Sequence, residues 1–575
     1  MSSPQAGWGA EVRRGTEWIG QRSRALLPRS ADYRSMRIAP QRDLIAGITV
    51  GVVALPLALA FGITSGLGAA AGLITAVVAG TVAAVFGGSN LQVSGPTGAM
   101  TVVLVPIVAQ YGANGVLVVG LLAGLLLIVM ALAGFGRYVR FIPLPVIEGF
   151  TLGIAVIIAL QQVPAALGVQ AAGEQVVLVA IRAVGDWLAA PDWVPVGIAA
   201  GVAGLMIVAA RLRLKPAVPV ALIAVVAATI VVAVVDVDIA TIGALPSSFP
   251  APHLPAFAVA DLRVLMAPAV AVAALAALES LLSATVADAM SVSQRHDPDR
   301  ELFGQGLANV ASPLFGGIPA TAAIARTAVN VRTGAVSRLA AIVHSAILLG
   351  VVLALGRVVS LIPLAALAGV LIATAMRMVE VSSLRALLRS GRGDTLVLVV
   401  TFVATVVLDL ATAVILGIIA AGVLALRQVA GSATLTETPL EAWGESSDTH
   451  TAEERALLDE HIIAFRFEGA LFFGGAHSAL LELAEVSDIR VVILRLSHVT
   501  TLDATGAAVL SDTIRSLENR GITVLLSGLP QQFTARLEAT GILQRLRDQN
   551  HVFGHTPDAI EHARLHVVRD GHHLT

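Results

Sequence analysis

From Leu44 through Gly136 the chain carries not one Asp, Glu, Lys or Arg. A run of that length cannot be packed inside a water-soluble domain, and at about 20 residues per crossing it holds about four membrane spans. The rest of the chain agrees. Of 575 residues 56% are hydrophobic and 13% charged, about half the charged share of ordinary soluble domains. The composition therefore requires a polytopic helical membrane protein. The absence of cysteine excludes disulfides, iron–sulfur clusters and thiolate metal sites. The stretch before Leu44 is long, arginine-rich and followed by further apolar segments, which reads as a tail and not as a cleavable signal peptide.

Fourteen membrane segments are expected, near 43–64, 69–87, 91–111, 114–134, 143–165, 194–211, 217–236, 263–290, 301–314, 319–331, 337–356, 360–378, 394–409 and 411–427. The ninth and tenth are short and suggest half-helices or re-entrant structure. Residues 172–190 read as an amphipathic interfacial stretch. With fourteen spans, the tail arginines and the clusters at Arg137/Arg140, Arg211/Arg213/Lys215, Arg295/Arg300, Arg332/Arg338 and Arg377–Arg392 all fall on the side holding both termini. The loops 65–68 and 237–262 opposite them contain almost no Lys or Arg, so both termini are expected to be cytoplasmic.

Two short segments interrupt the apolar pattern, Gln92-Val93-Ser94-Gly95-Pro96-Thr97-Gly98-Ala99 and Gly316-Gly317-Ile318-Pro319-Ala320-Thr321-Ala322-Ala323. Glycine loosens the backbone and proline fits a first helical turn, so each reads as a helix start inside the membrane. Such a break is tolerable in lipid only where it lines a cavity or binds a ligand. Two half-helix N-termini facing each other at mid-membrane make a positive-ended site for an anion. The prolines of the breaks are offset by 223 residues. Ile142-Pro143-Leu144 with Gly149 and Ile362-Pro363-Leu364 with Gly369 are offset by 220, as are Asp43 and Arg263 near the starts of spans one and eight. Two halves of seven spans must have opposite topology, so an inverted repeat is expected.

Within this frame Thr97, Gly98 and Ala99 at one break and Thr321, Ala322 and Ala323 at the other are candidate anion-binding residues. The threonines offer hydroxyls beside free amides, and the small residues let an anion approach the backbone. Arg326, the basic residue of the tenth span, either supplies a fixed positive charge or snorkels to the surface. Phe61, about one and a half turns beyond Pro56, is a candidate apolar wall. Glu279 lies sixteen residues after Arg263, about 24 Å along a helix. A carboxylate at that depth costs several kcal/mol unless it is protonated, paired or beside water. It is thus the candidate for coupling a proton to anion entry; the alternative is a packing role with a hydrogen bond to Ser283. Asp288 and Glu148 read as interfacial and structural.

After Arg427 the chain turns polar, with an acidic linker, and from His461 strands at 462–467, 491–496 and 522–526 alternate with helices at 475–485, 504–518 and 531–545. That is a small α/β domain. Asp503 reads as a helix N-cap and Thr505 behind it as a possible regulatory phosphosite. Ten of the thirteen histidines fall at or after His450, without a ligand spacing that marks a metal site.

These segments resemble the sulfate permease (SulP) family of anion transporters, to which prestin and pendrin also belong. The similarity runs over about residues 40–560. It rests on Asp43-Leu44-Ile45-Ala46-Gly47, Ala54-Leu55-Pro56-Leu57-Ala58-Leu59-Ala60-Phe61, Gly95-Pro96-Thr97-Gly98-Ala99, Glu279-Ser280-Leu281-Leu282 and Ile318-Pro319 with Ile324 to Asn330. The C-terminal region resembles the STAS domain. The resemblance implies a seven-plus-seven fold with a core domain (spans 1–4 and 8–11) and a gate domain (spans 5–7 and 12–14). It also implies an anion site between spans three and ten, elevator-like movement and dimers. Many members carry Gln where Leu57 stands. Glutamate at 279 is similar to proton-coupled members, whereas a sodium-coupled bicarbonate relative has aspartate. Thr505 takes the place of the phosphoacceptor serine of the anti-sigma antagonists.

The expected organisation is a basic cytoplasmic tail (1–42), a transport domain (43–430), a linker (431–460) and a STAS domain with its tail (461–575). The expected function is secondary active, proton-coupled transport of a small anion, with no enzymatic activity, cofactor or metal. Sulfate is the first substrate, with bicarbonate and C4-dicarboxylates open. Expected partners are the anion, protons, the lipid of a plasma or inner membrane, a second copy as homodimer and a cytosolic regulator of the STAS domain, but no nucleic acid. An uncoupled anion channel, an exchanger, an electromotile sensor and a nucleobase permease are the rival readings. Glu279 argues against a channel or sensor, which needs no buried titratable group, and the STAS domain and the Ala325-Arg326-Thr327-Ala328 segment argue against a nucleobase permease.

Overall fold

The computed structural model describes residues 24–171, 173, 175–212, 218–245, 248–256, 259–291, 295–408, 410–431, 434–437, 461–472 and 489–569. They divide into two compact units, residues 1–418 and 419–575.

The first unit is helical. Pro40–Thr64 (α1) and Ala69–Phe86 (α2) are followed by Gly98–Ala133 (α3), Leu144–Gln161 (α4), Val176–Ala189 (α5), Trp193–Arg211 (α6), Val220–Val235 (α7) and Val259–Met290 (α8). Then come Pro298–Leu314 (α9), Ile324–Arg332 (α10), Leu339–Ala354 (α11), Leu364–Met378 (α12), Val381–Ser390 (α13), Arg392–Val407 (α14) and Leu410–Gly431 (α15). Each expected segment coincides with a helix or part of one. Segments three and four are the two halves of α3, divided at Gly112, whose φ of 69° lies in the left-handed region that glycine adopts freely. Eight helical stretches among the described residues are long and apolar enough to cross a membrane, and α7 and α11 are shorter apolar helices. The amphipathic α5 exposes Leu178, Ile181 and Leu188.

Two expectations about short elements part company. The tenth segment is a half-helix of nine residues, but the ninth, α9, is a continuous helix of seventeen. Its polar residues Glu301, Gln305, Asn309 and Ser312 are all buried.

The repeat legible in the sequence is also present in the packing. Pro143 and Pro363 cap α4 and α12 with the same φ of -66°. On α4, a Cβ added to Gly149 would lie 2.5 Å from the Leu398 carbonyl and 3.0 Å from Thr401 Cβ of α14. On α12, a Cβ added to Gly369 would lie 2.5 Å from the Ala199 carbonyl and 3.0 Å from Val202 Cβ of α6. Only a residue without a side chain lets these helix pairs approach so closely. Asp43 and Arg263 do not share a role. Asp43 is buried and accepts hydrogen bonds from the Val336 and Ser337 amides and the Ser337 hydroxyl just ahead of α11, whereas Arg263 is exposed. In the described part of the basic tail, Tyr33 donates to the Val85 carbonyl and Asp32 pairs with Arg300 at 2.8 Å.

Ser94–Gly95 (β1) and Thr321–Ala322 (β2) form a two-stranded antiparallel ribbon inside this helical body. The second unit holds a five-stranded sheet, Thr434–Glu437 (β3), Ile462–Leu471 (β4), Val491–Leu502 (β5), Thr523–Ser527 (β6) and Val552–Phe553 (β7), in that spatial order. β3 runs antiparallel to β4; the other pairs are parallel. Along β5 the alternating side chains supply both cores. Val492 and Leu494 pack with Leu510, Ile514 and Leu546 on one face, and Val491 and Ile493 with Ala559, Ile560 and Ala563 on the other. The helices are Ala504–Asn519 (α16), Gln531–Ala539 (α17), Ile542–Asp548 (α18) and Thr556–Arg569 (α19). The single helix expected over 531–545 is broken by Gly541 at φ 74°. β3 lies within the expected linker and pairs antiparallel with β4. The helix expected over 475–485 lies outside the described residues. β7 and α19 add to the elements expected from the sequence.

Candidate functional site

The backbone flanking the two prolines is extended. Ser94 faces Ala322 and Gly95 faces Thr321, and all four are buried. Segments more than two hundred residues apart thus satisfy one another's backbone groups where lipid offers no partners. Beyond the ribbon the two half-helices begin. Thr97 is the N-cap of α3, with its hydroxyl oxygen 3.4 Å from the Met100 N–H that it accepts. The Gly98 and Ala99 amides ahead of it have no intrahelical acceptor. Ala323 is the N-cap of α10 without a side-chain cap, and its own N–H donates to the Val93 carbonyl at 3.1 Å.

The two breaks are therefore alike in the backbone but differ in their threonines. Thr321 does not line a helix start as the sequence suggested. It lies in the ribbon, fully buried, with its hydroxyl 3.0 Å from Ser280 Oγ and donating to the Ala276 carbonyl at 3.2 Å. α10 starts later than the spacing from Pro319 suggested, because residues 321–322 are taken up in strand pairing. Ala322 is buried against Ser94, while Ala323 is half-buried at the helix start.

Glu279 comes to the first break from α8. Its Oε2 accepts a hydrogen bond from the Thr97 hydroxyl at 2.9 Å, and the residue is half-buried. Ser283, the alternative partner, donates instead to Thr327 Oγ1 at 3.0 Å. Arg326 does not snorkel. It is 2% exposed, its Nη2 donates to the Pro96 carbonyl at 2.8 Å, and its Nη1 is buried without a hydrogen-bond partner among the described residues. A Cβ on Gly95 would stand 2.7 Å from that nitrogen, so glycine is what admits the guanidinium. Phe61 is buried with its ring edge toward Gly98: a Cβ there would lie 3.3 Å from Phe61 Cε1 and 2.3 Å from Ile158 Cδ1. Thr97, Gly98, Glu279, Arg326 and Phe61 are thus gathered about one helix N-terminus.

Several groups that build this place escaped the sequence reading. Glu301, Gln305, Asn309 and Ser312 form a stripe along one face of α9. Glu301 accepts from the Gly88 and Ser89 amides, and Gln305 donates to Ser94 Oγ. Asn309 takes both backbone groups of Ala320 at 2.8 Å each, and Ser312 donates to the Ile318 carbonyl at 2.8 Å. Thr75 of α2 accepts the Ile318 N–H at 2.7 Å. The signal was present as polar residues spaced four, four and three apart in a membrane segment. His344 of α11 is fully buried with neither ring nitrogen bonded among the described residues. Glu148 accepts from Ser383 Oγ at 2.6 Å and Asp288 from His296, both away from the ribbon. A cavity of about 270 Å³ lined by Tyr111, Asn114, Val118 and Leu265 shares none of the site residues. In the second unit Asp503 caps α16 by accepting the Gly506 N–H at 2.7 Å, and Thr505 is exposed in the first turn.

Chemically, the assembly presents two amides without a partner among the described residues, a hydroxyl and a guanidinium N–H, with a titratable carboxyl in contact with the hydroxyl.

Comparison with known proteins agrees with this architecture. Residues 41–401 match the sulfate permease family and residues 456–559 the STAS domain. The chain is 37% identical over 533 residues to the putative sulfate transporter YvdB of Bacillus subtilis, covering 90% of this chain and 96% of that one. It is 32% identical over 524 residues to the bicarbonate transporter BicA of Synechocystis, covering 89% and 92%. The transmembrane domain of a cyanobacterial BicA superposes with a TM-score of 0.59 at 33% identity, covering 66% of this chain and 97% of that one. SLC26A9 superposes over 98% of this chain and 96% of its own with a TM-score of 0.77 at 16% identity, a likeness of fold. With its apolar helices, its paired breaks and a match over most of its length, this integral membrane protein belongs to the sulfate permease family and carries a C-terminal STAS domain.

Proposed function

We propose that the chain is a proton-coupled secondary transporter of a small oxyanion, with sulfate or bicarbonate as the first substrates to test and C4-dicarboxylates after them. The relatives with those printed substrates, a putative sulfate transporter and a bicarbonate transporter, span nearly the whole chain. The observation that carries the coupling is the contact between Glu279 and Thr97. An ionised Glu279 places a negative charge on the hydroxyl of the same helix N-terminus that is to receive an anion. Two like charges about 4 Å apart repel by several kcal/mol at an effective dielectric near 20. Protonating Glu279 removes that repulsion, so anion and proton enter together. Arg326 supplies the fixed counter-charge, and Gly98, Ala99 and Ala323 supply the close backbone approach. Phe61 closes the apolar side.

In this reading Thr321 and Ala322 support the site through the ribbon. The half-helices move as one body past the helices around α4 and α12 in an elevator-like step, within a homodimer in the plasma or inner membrane with both termini cytoplasmic. The exposed Thr505 is where a cytosolic kinase would act on the STAS domain. The test is uptake into proteoliposomes of sulfate, bicarbonate, fumarate and chloride, with and without an inward proton gradient at fixed membrane potential. Glu279→Gln keeps the shape and hydrogen-bonding capacity but cannot titrate. It should abolish gradient-driven accumulation while sparing anion binding. Accumulation that persists unchanged in the Gln variant would sink the coupling role and favour a channel or exchanger.

A further inference from the structure

Three histidines of the second unit, scattered in the sequence, converge at the end of its sheet. His562 and His566 lie four residues apart on α19 and so share a face of that helix. His551 directly precedes β7, with its backbone N–H donating to the Leu546 carbonyl at 2.8 Å. His566 Nε2 is 3.3 Å from His551 Nε2 and 3.2 Å from His562 Nε2. One ring nitrogen from each of the three lies within 4.8 Å of the other two. His551 is buried and the other two half-buried.

Hydrogen bonding among the three accounts poorly for this arrangement. A neutral imidazole nitrogen carries either a proton or one lone pair. His566 Nε2 faces both neighbours, so a single N–H or a single lone pair has to serve two contacts at once. A cation that accepts one lone pair from each ring meets all three nitrogens together. Tetrahedral zinc with Zn–N of about 2.0–2.1 Å sets its nitrogen ligands roughly 3.3–3.4 Å apart, close to the two spacings found here. The rings also rest on ordered elements. Phe553 of β7 packs on His562 at 5.2 Å between ring centroids, and Ala559, Ile560, Ala563 and Val567 fix α19 to the sheet.

We propose that His551, His562 and His566 form a site for a divalent transition metal of the zinc class, bound through three Nε2 atoms with a fourth position open to water or an exogenous ligand. An all-imidazole set disfavours calcium and magnesium, which prefer oxygen ligands. His551 lies within the residues 456–559 that match the STAS domain and His562 and His566 beyond them, so the site joins the end of that domain to α19. Metal there ties α19 to β7, and its occupancy stabilises that end of the domain by linkage. The proposal does not depend on the transport reading.

The test uses the full-length protein in detergent, stripped with EDTA, incubated with Zn²⁺ and desalted, with bound metal measured by mass spectrometry. About one zinc per chain is expected. His562→Ala/His566→Ala should lower retention at least about tenfold, while His555→Ala leaves it unchanged. Co²⁺ should give wild-type protein the intense visible absorption of a tetrahedral site. This second measurement decides the matter even where the double variant fails to fold. Absence of that absorption overturns the proposal; zinc retained equally by the double variant also overturns it and assigns the metal to other residues.

Discussion

The Thr97 hydroxyl spans two roles at once: it donates to Glu279 Oε2 at 2.9 Å and faces the Met100 amide at 3.4 Å as the N-cap of α3. The capping group of the half-helix is therefore bonded to the half-buried Glu279 of α8. Thr97→Val preserves the shape and removes the hydroxyl. A hydrogen bond to a charged group is worth about 1.5–3 kcal/mol, so apparent anion affinity should fall by roughly tenfold or more, and Thr97→Ser should restore most of it. Concentration-dependent uptake by the three proteins decides this. Equal half-saturation in wild type and Thr97→Val would remove the hydroxyl from the site.

Gly98 is hemmed in by Ile158 and Phe61. A Cβ would fall 2.3 Å from Ile158 Cδ1, the flexible end of a side chain, so alanine requires Ile158 to move and leucine fills the approach to the amides. Gly98→Leu should abolish anion binding in a protein that still elutes as folded. Gly98→Ala should lose part of its uptake and regain it with Ile158→Val. An additive double mutant would show that the two residues do not meet there.

Asn309 holds both backbone groups of Ala320. Replacing it with leucine leaves a buried N–H and a buried carbonyl unpaired, each costing about 1–3 kcal/mol. The loss falls on the ribbon that positions both half-helices, so uptake should drop at least about tenfold, together with the thermal midpoint. Asn309→Ala with full transport would show that the break keeps its shape without the side chain.

Asp32 is outside the membrane segments and shows a pH dependence of definite sign. Burial pushes its carboxyl up, but the Arg300 guanidinium and the Arg29 N–H, with the charges of Arg300 and Arg338, outweigh that and hold it below its ordinary value. A depressed carboxyl contributes stability above its unfolded value near 3.9 and loses it as pH falls through the folded value. Asp32→Asn should speed hydrogen exchange over residues 30–37 at pH 7, by up to about fivefold for a pair worth about 1 kcal/mol or less. The difference between the two proteins should close below about pH 4. A difference that persists at pH 2 would assign the effect to packing.

The helical membrane class, the helix positions and the existence of two matched breaks were legible because they follow from local properties: an uncharged run, a proline after glycine, an offset repeated along the chain. Thr97, Gly98 and Glu279 stood out for the same reason, since a helix start or a carboxylate inside an apolar segment is conspicuous without any knowledge of its neighbours. Which groups meet was not legible. Thr321 looked like the counterpart of Thr97, yet strand pairing with Gly95 carries it away from its helix start and toward Ser280. Arg326 could have reached water; only the space beside Gly95 fixes it on the Pro96 carbonyl. The ninth segment read as a short half-helix and its polar stripe went unremarked, although those side chains hold both breaks. His562 and His566 are spaced four apart, a ligand spacing that was passed over in a histidine-rich tail, and His551 joins them only because the sheet's edge and the last helix meet. The sequence by itself determined where the chain is helical, where it breaks and which atoms are costly to bury, all of which depend on hydropathy and backbone chemistry within a few residues. Only the tertiary structure decided the partners of Thr321, Arg326, Asn309 and His551, because hydrogen bonds and coordination depend on distances of about 3 Å between residues that chain order leaves far apart.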